Sequence, residues 1–167
     1  MNVTPDRVAR EAEWVADRAD EVVPLINETR TRLAPAFDAD VGHADREAYR
    51  EAVATVFADG DVAVNVAAYV ALLRDLDVTG DYPGFVVDEV LGRELAAAIA
   101  GGTPLSLLAQ ATFHYADVTT HSAGVAGRDD LDAALAAGFQ TRLPGWAWRE
   151  TESPFAVDPD APGGGRQ

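Results

Sequence analysis

Cysteine is absent from the 167-residue chain, as is lysine, so all 13 basic residues are arginine. The first absence excludes disulfides and thiolate metal ligands. The second leaves no Gly-Lys-Ser/Thr phosphate loop. No Gly-x-Ser-x-Gly elbow occurs either, which removes the usual serine hydrolase signature. The N-terminal stretch MNVTPDRVAREAEW has no apolar signal-peptide core. The longest stretch free of Asp, Glu and Arg, from Leu95 to Ala116, is interrupted by Gly101-Gly102-Thr103-Pro104. It is therefore too broken for a membrane span. Arginines are scattered rather than clustered, so nucleic acid has no basic footprint to bind. No loop matches an EF-hand calcium site.

What is present in excess is negative charge. The formal net charge is −15 and the sequence pI about 4.3, with heavy use of Asp, Ala and Val. This composition resembles that of proteins from salt-in haloarchaea. In such a cytoplasm the Debye length falls to roughly 3 Å at 1 M salt, and a dense carboxylate surface repels itself little. In dilute buffer the same charge would work against the compact state. Hydrophobic residues still make up 48% of the chain, enough for one domain with a core of its own.

Periodicity points to an all-α fold, an irregular bundle of about six helices over residues 1–145. Thr4-Pro5 starts a helix running towards Leu33, with Val8, Val15, Val22, Ile26 and Leu33 on one stripe. Pro24 is expected to kink or split it. Asp45 should cap a helix over residues 46–58, and Asp61 another from Val62 to about Leu76. A fourth helix is expected from Phe85 to Ala100. A fifth, capped by Thr103 with Pro104 in its first turn, should run to His121. Asp129 or Asp130 should cap the last one, which ends near Arg142. The uncharged fifth helix reads as the central, most buried element, carrying Leu105, Leu108 and Tyr115 inward. The acidic face Glu11-Glu13-Asp17-Asp20-Glu21 reads as solvated surface.

Residues 146–167 differ in composition. Two of the chain's three tryptophans, Trp146 and Trp148, precede a tail rich in Pro and Gly. In an extended segment both would lie on one side. The expectation is an aromatic arm, with Trp146, Trp148 and Phe155 as partner-binding residues, followed by a flexible tail. Tryptophan anchors binding sites because it buries a large area at low entropic cost. The arm either folds back on its own helices or grips another subunit.

The one arrangement that suggests chemistry is His114, Asp117 and His121, at i, i+3 and i+7 on one helical face. Two imidazoles and a carboxylate suit zinc, iron or manganese. The two histidines stand about 10 Å apart along the axis, from the 1.5 Å rise per residue, so one ion would need help from rotamers and a further ligand. Glu89 or Glu94 could supply it.

These readings lead to an expected function that is non-enzymatic. They describe a structural or assembly adaptor subunit of a haloarchaeon or its virus, comparable in general shape to a head–tail adaptor. It would need no cofactor, docking on a protein partner or on itself through the arm, in a salt-in cytoplasm or a virion. The alternative is a helical metal-binding protein or metal-dependent enzyme using His114, Asp117 and His121.

Overall fold

Thr4 ends the extended leader, its hydroxyl accepting the Arg7 backbone N–H at 3.1 Å. That cap and Pro5 behind it start α1 (Pro5–Asp17). The computed structural model describes residues 1–76, 87–119, 128–151, 155 and 160. Among these it contains seven further helices and no strand. They are α2 (Ala19–Ala36), α3 (Arg46–Ala58), α4 (Gly60–Asp75), α5 (Val87–Ala100), α6 (Leu105–Thr119), α7 (Arg128–Gln140) and the single turn α8 (Ala147–Glu150). The all-α bundle expected from periodicity is the observed architecture.

The first long helix does split, but not at Pro24. The break falls at Arg18, six residues ahead of the proline, and Pro24 stays inside α2 on its exposed side. Arg18 reaches across the bundle to Asp132, with its Nε 3.1 Å from Oδ1 and Nη2 2.6 Å from Oδ2. This two-bond grip fixes the junction. The stripe itself is as expected: Val15, Val22, Ile26 and Leu33 are all buried, while Val8 is only partly so. Asp45 caps α3, accepting from Ala48 N at 2.8 Å. Asp59, not Asp61, stands at the cap of α4, which begins at Gly60.

The buried axis of the bundle is α7 rather than α6. Every residue from Leu131 to Thr141 is buried, and the helix packs against α2, α3, α4, α5 and α6. Its sequence hides this role. Its middle is four alanines and a glycine around Leu135, with acidic residues at its start, so its mean hydropathy is modest. Small side chains are what let neighbours surround a helix closely. A Cβ at Gly138 would lie 2.8 Å from Ile99 Cβ and 3.0 Å from the Ala96 carbonyl, so only glycine fits this approach of α5. In α6, Leu105, Leu108, Ala109, Thr112, Phe113 and Ala116 are buried, but Leu107, Ala111, His114 and Tyr115 face outward. Lack of charge marked a helix with one covered face, not one covered all round. Pro104 stands just ahead of α6, joined to Thr103 by a cis peptide, with its carbonyl accepting from Leu108 N at 3.0 Å.

The expected loops over residues 78–84 and 122–127, Phe85, Val86 and most of the Pro/Gly tail lie outside the described residues.

Candidate functional site

α5, α6 and α7 form the unit that brings charged groups together. α5 and α6 run antiparallel: Glu94 meets Gln110 at 3.3 Å, and Gly92 lies against the Phe113 ring. α5 and α7 run parallel, since Gly92 approaches the Asp130 carbonyl near one end and Gly138 packs on Ile99 near the other. Parallel neighbours place both N-termini at one pole of the bundle and both C-termini at the opposite pole.

At the N-terminal pole, the Asp130 carboxyl stands beside those of both Asp88 and Asp117. Carboxyls this close are accommodated when one of them keeps its proton. Burial first, then the nearness and negative charge of Asp88 and Asp117, push the Asp130 carboxyl up to about 8. The N-termini of α5 and α7 favour negative charge here. Asp117, however, sits in the last turn of α6, where the dipole disfavours it. Asp88 also accepts the Glu89 backbone N–H at 2.9 Å.

At the C-terminal pole the buried groups are cations. Arg30 is 1% exposed and donates to three carbonyls: Gly42 at 2.7 Å, Gln140 at 2.5 Å and Pro144. Burial pushes its guanidinium down to about 10. Arg142 donates to Ile99 O at 2.8 Å, and Arg149 to Thr141 O at 2.6 Å and Ala100 O at 3.5 Å. Burial and the neighbouring Arg142 lower Arg149 to about 10. Burial also lowers Arg142, against a smaller pull from Asp59. These side chains serve carbonyls at or just past the ends of α5 and α7, where helix geometry leaves acceptors over, and those of Gly42 and Pro144 in the adjoining loops.

The aromatic arm closes over this pole. Trp146 is 2% exposed and donates from Nε1 to Gln140 Oε1 at 2.9 Å. Gly145, at φ +118°, turns the chain inward, and a Cβ there would meet the Asp40 carbonyl at 2.7 Å. The segment expected to be extended is a helical turn instead. Thr151 N bonds to Ala147 O at 3.1 Å, and the two indoles stack with centroids 6.4 Å apart and planes 11° from parallel. Phe37 stands edge-on to both, at 5.8 and 6.3 Å. Trp146 thus grips its own chain, and burying an indole of this kind is worth about 4–6 kcal/mol of apolar area. Phe155, of the three proposed contact residues, is the one that stays exposed.

Of the remaining candidates, His114 is exposed on the outer face of α6, Asp117 adds its charge to the surroundings of Asp130, and His121 lies outside the described residues. Among the described residues no group of three His, Asp or Glu side chains is arranged to hold a metal ion. His43 meets the Thr31 hydroxyl at 2.8 Å on the surface. Glu11, expected on a solvated face, is 1% exposed. Its carboxylate takes Arg7 Nε at 2.8 Å and Arg74 Nη1 at 2.7 Å, and Arg74 lies 4.4 Å over the Trp14 ring. Arg7 at i−4 was the local sign of that pairing; Arg74 had none.

Sequence reasoning missed the outward face shared by α5 and α6. Val87, Val90, Leu107 and Tyr115 are four of the nine large apolar side chains left exposed among the described residues. Leu107, Ala111, His114 and Tyr115 follow i, i+4, i+7, i+8 spacing, the signature of a single helical face. Beside them runs an open groove of about 410 Å³, lined by Val90, Arg93, Glu94, Leu107, Gln110 and Ala111. Such a surface suits another apolar surface rather than chemistry on a small molecule. No helix among the described residues is by itself long and apolar enough to cross a membrane.

The family described as "Domain of unknown function (DUF7984)" matches residues 1–159. No curated protein and no solved structure matches the chain.

Proposed function

The chain belongs to this DUF7984 family, a membership that assigns no activity, and from its own surface we propose a non-enzymatic assembly or adaptor subunit that docks on a protein partner. The observation that carries this reading is the exposed apolar strip of α5 and α6, with Leu107 51% and Tyr115 46% exposed. A chain bearing a net −15 keeps most of its surface hydrated. An apolar strip left open on such a surface fits a site that another protein covers. Phe155 supplies a second outward anchor from the arm, while Trp146 and Trp148 hold the arm to its own bundle. The acidic composition fits work in molar salt, either in a haloarchaeal cytoplasm or in a virus that assembles there.

The test uses the full chain, tagged and recovered from its source cells in molar KCl, with the mass of the recovered complex measured by light scattering. Wild type should run as a complex heavier than the chain alone. Leu107→Glu should release it with helicity by circular dichroism intact, and Phe155→Ala should weaken it. Recovery of wild type at the mass of the single free chain would overturn the proposal.

A further inference from the structure

We infer that the α5–α6 groove is a self-pairing surface whose occupant is the same groove of a second copy. This deepens the docking reading above and rests on it. The argument is one of charge. The groove holds two charged side chains, Arg93 and Glu94, adjacent on α5 and of opposite sign, against an apolar floor of Val90, Leu107 and Ala111. Its formal charge is therefore zero, on a chain whose net charge is −15. Most other approaches between two copies bring like charge together.

The two charges are not already paired with each other. Glu94 accepts from Gln110 Nε2 at 3.3 Å, and the exposed Arg93 forms no ion pair among the described residues. An acidic partner would meet Glu94 and a basic one Arg93. A copy related by a two-fold axis through the groove meets both needs at once, setting Arg93 of each chain against Glu94 of the other. That is the isologous pattern of a symmetric dimer, in which each contact occurs twice. The same axis lays the Leu107 edge of one α6 across the Val90 edge of the opposing α5. Two antiparallel helix pairs then close into a four-helix layer. Exposed ion pairs stabilise little by themselves. Here they set the register, and apolar burial supplies the affinity.

Salt dependence follows from the net charge. Two copies at −15 repel through dilute buffer, and roughly 1 M salt shortens that repulsion to about 3 Å. The dimer therefore tightens as KCl rises, the reverse of an association driven by ion pairs.

Sedimentation velocity of the purified full chain in 0.3, 1 and 3 M KCl tests this. Wild type should be dimeric in 3 M KCl and dissociate on dilution of the salt. Leu107→Glu should be monomeric at 3 M with unchanged circular dichroism. Arg93→Glu and Glu94→Arg should each weaken the dimer at least tenfold, because each opposes like charges twice. The combined Arg93→Glu/Glu94→Arg variant should recover affinity to within about threefold of wild type. A monomeric wild type in 3 M KCl, a dimer indifferent to Leu107→Glu, or a double variant no better than its parents overturns the pairing. A monomeric wild type that nonetheless enters a heavier, Leu107-dependent complex in cells would overturn self-pairing alone and leave the adaptor reading standing.

Discussion

At one pole of the parallel α5–α7 pair three carboxyls crowd together, and at the other three guanidiniums lie buried or half-buried with no ion pair to any carboxylate among the described residues. With the exception of Asp117, which ends α6, both poles place charge where the helix dipoles favour it, acids at the N-termini of α5 and α7 and bases at their C-termini. They differ in how the charge is satisfied. A guanidinium is all donor and a backbone carbonyl is all acceptor, so Arg30, Arg142 and Arg149 find complementary partners in the backbone. Carboxylates are all acceptor, and Asp130 stands beside the carboxyls of Asp88 and Asp117. That arrangement closes only when a proton is retained. The arginine pole is thus a fixed fastening, and the carboxyl pole is a titrating one.

The comparison breaks most sharply at Arg30. Arg30→Met keeps much of the buried volume and removes every donor that Arg30 gives to the carbonyls of Gly42, Gln140 and Pro144, leaving Gln140 O only the long bond from Leu143 N at 3.4 Å. A loss of about 3–5 kcal/mol is expected for a buried network of this kind, read from the urea midpoint in molar KCl. Arg30→Lys should recover only part of it, because a single ammonium cannot span three divergent carbonyls as a planar fork does. Full stability in Arg30→Met would mean that the carbonyls find other donors and that this pole is not a fastening.

Next in size is the spacing that holds both poles in register. Gly138→Ala puts a methyl 2.8 Å from Ile99 Cβ. Overpacking at such a contact costs about 1–3 kcal/mol, against a helix-propensity gain for alanine of up to about 1 kcal/mol. The net should be a lowered melting temperature, which Ile99→Val should not relieve, because valine keeps the Cβ and γ-methyl that stand closest to the new methyl. An unchanged melting temperature in Gly138→Ala would show that α5 and α7 can slide apart freely.

The arm gives a smaller effect at the same pole. Trp146→Phe keeps most of the apolar burial but removes the bond to Gln140 Oε1. Among the described residues Gln140 Nε2 already has no partner, so the variant strands the whole amide. The expected cost is about 1–2 kcal/mol. Replacing Gln140 by Met in that background should restore part of it, since an apolar pair asks for no hydrogen bond. If the double variant is no more stable than Trp146→Phe, the indole N–H contributes little and stacking on Trp148 and Phe37 holds the arm.

What the sequence made legible follows the range of the interaction. The caps at Thr4 and Asp45 and the stripe Val15–Val22–Ile26–Leu33 are local, and both poles' helices could be drawn from such signals. The break at Arg18 could not be placed, because its partner Asp132 is 114 residues away. Glu11 looked like surface because Arg74 comes from another helix. Asp117 was singled out, but with His114 and His121. Its observed neighbour Asp130 comes from another helix, and no spacing joins the two. The central role of α7 was hidden for a related reason: alanine and glycine reveal their burial through what approaches them, not through their own hydropathy. The uncharged α6 drew attention instead, and half of what it displays is the outward strip.

The smallest change tests the titrating pole, and its sign separates it from an ordinary acid effect. In the unfolded chain Asp130 titrates near 3.8, and in the fold near 8. Below about pH 4 both states hold the proton, and the folded arrangement is fully favoured. As pH rises from there the unfolded chain releases the proton while the folded chain keeps it, so stability declines until both are ionised above about pH 8. The arginine pole adds no slope of its own across this window. Arg30 and Arg149 near 10 remain charged in both states, and their cost stays constant below about pH 9. Wild type should therefore lose stability between pH 5 and 8.5 on account of Asp130. Asp130→Asn should flatten that slope and stand above wild type at pH 8.5 by about 1 kcal/mol, after allowance for solvent screening at a partly exposed site. Urea denaturation at constant KCl measures both. If Asp130→Asn is instead less stable than wild type at pH 8.5, the ionised carboxylate is being held by a donor rather than by a proton. The two poles would then be alike, each a fixed fastening.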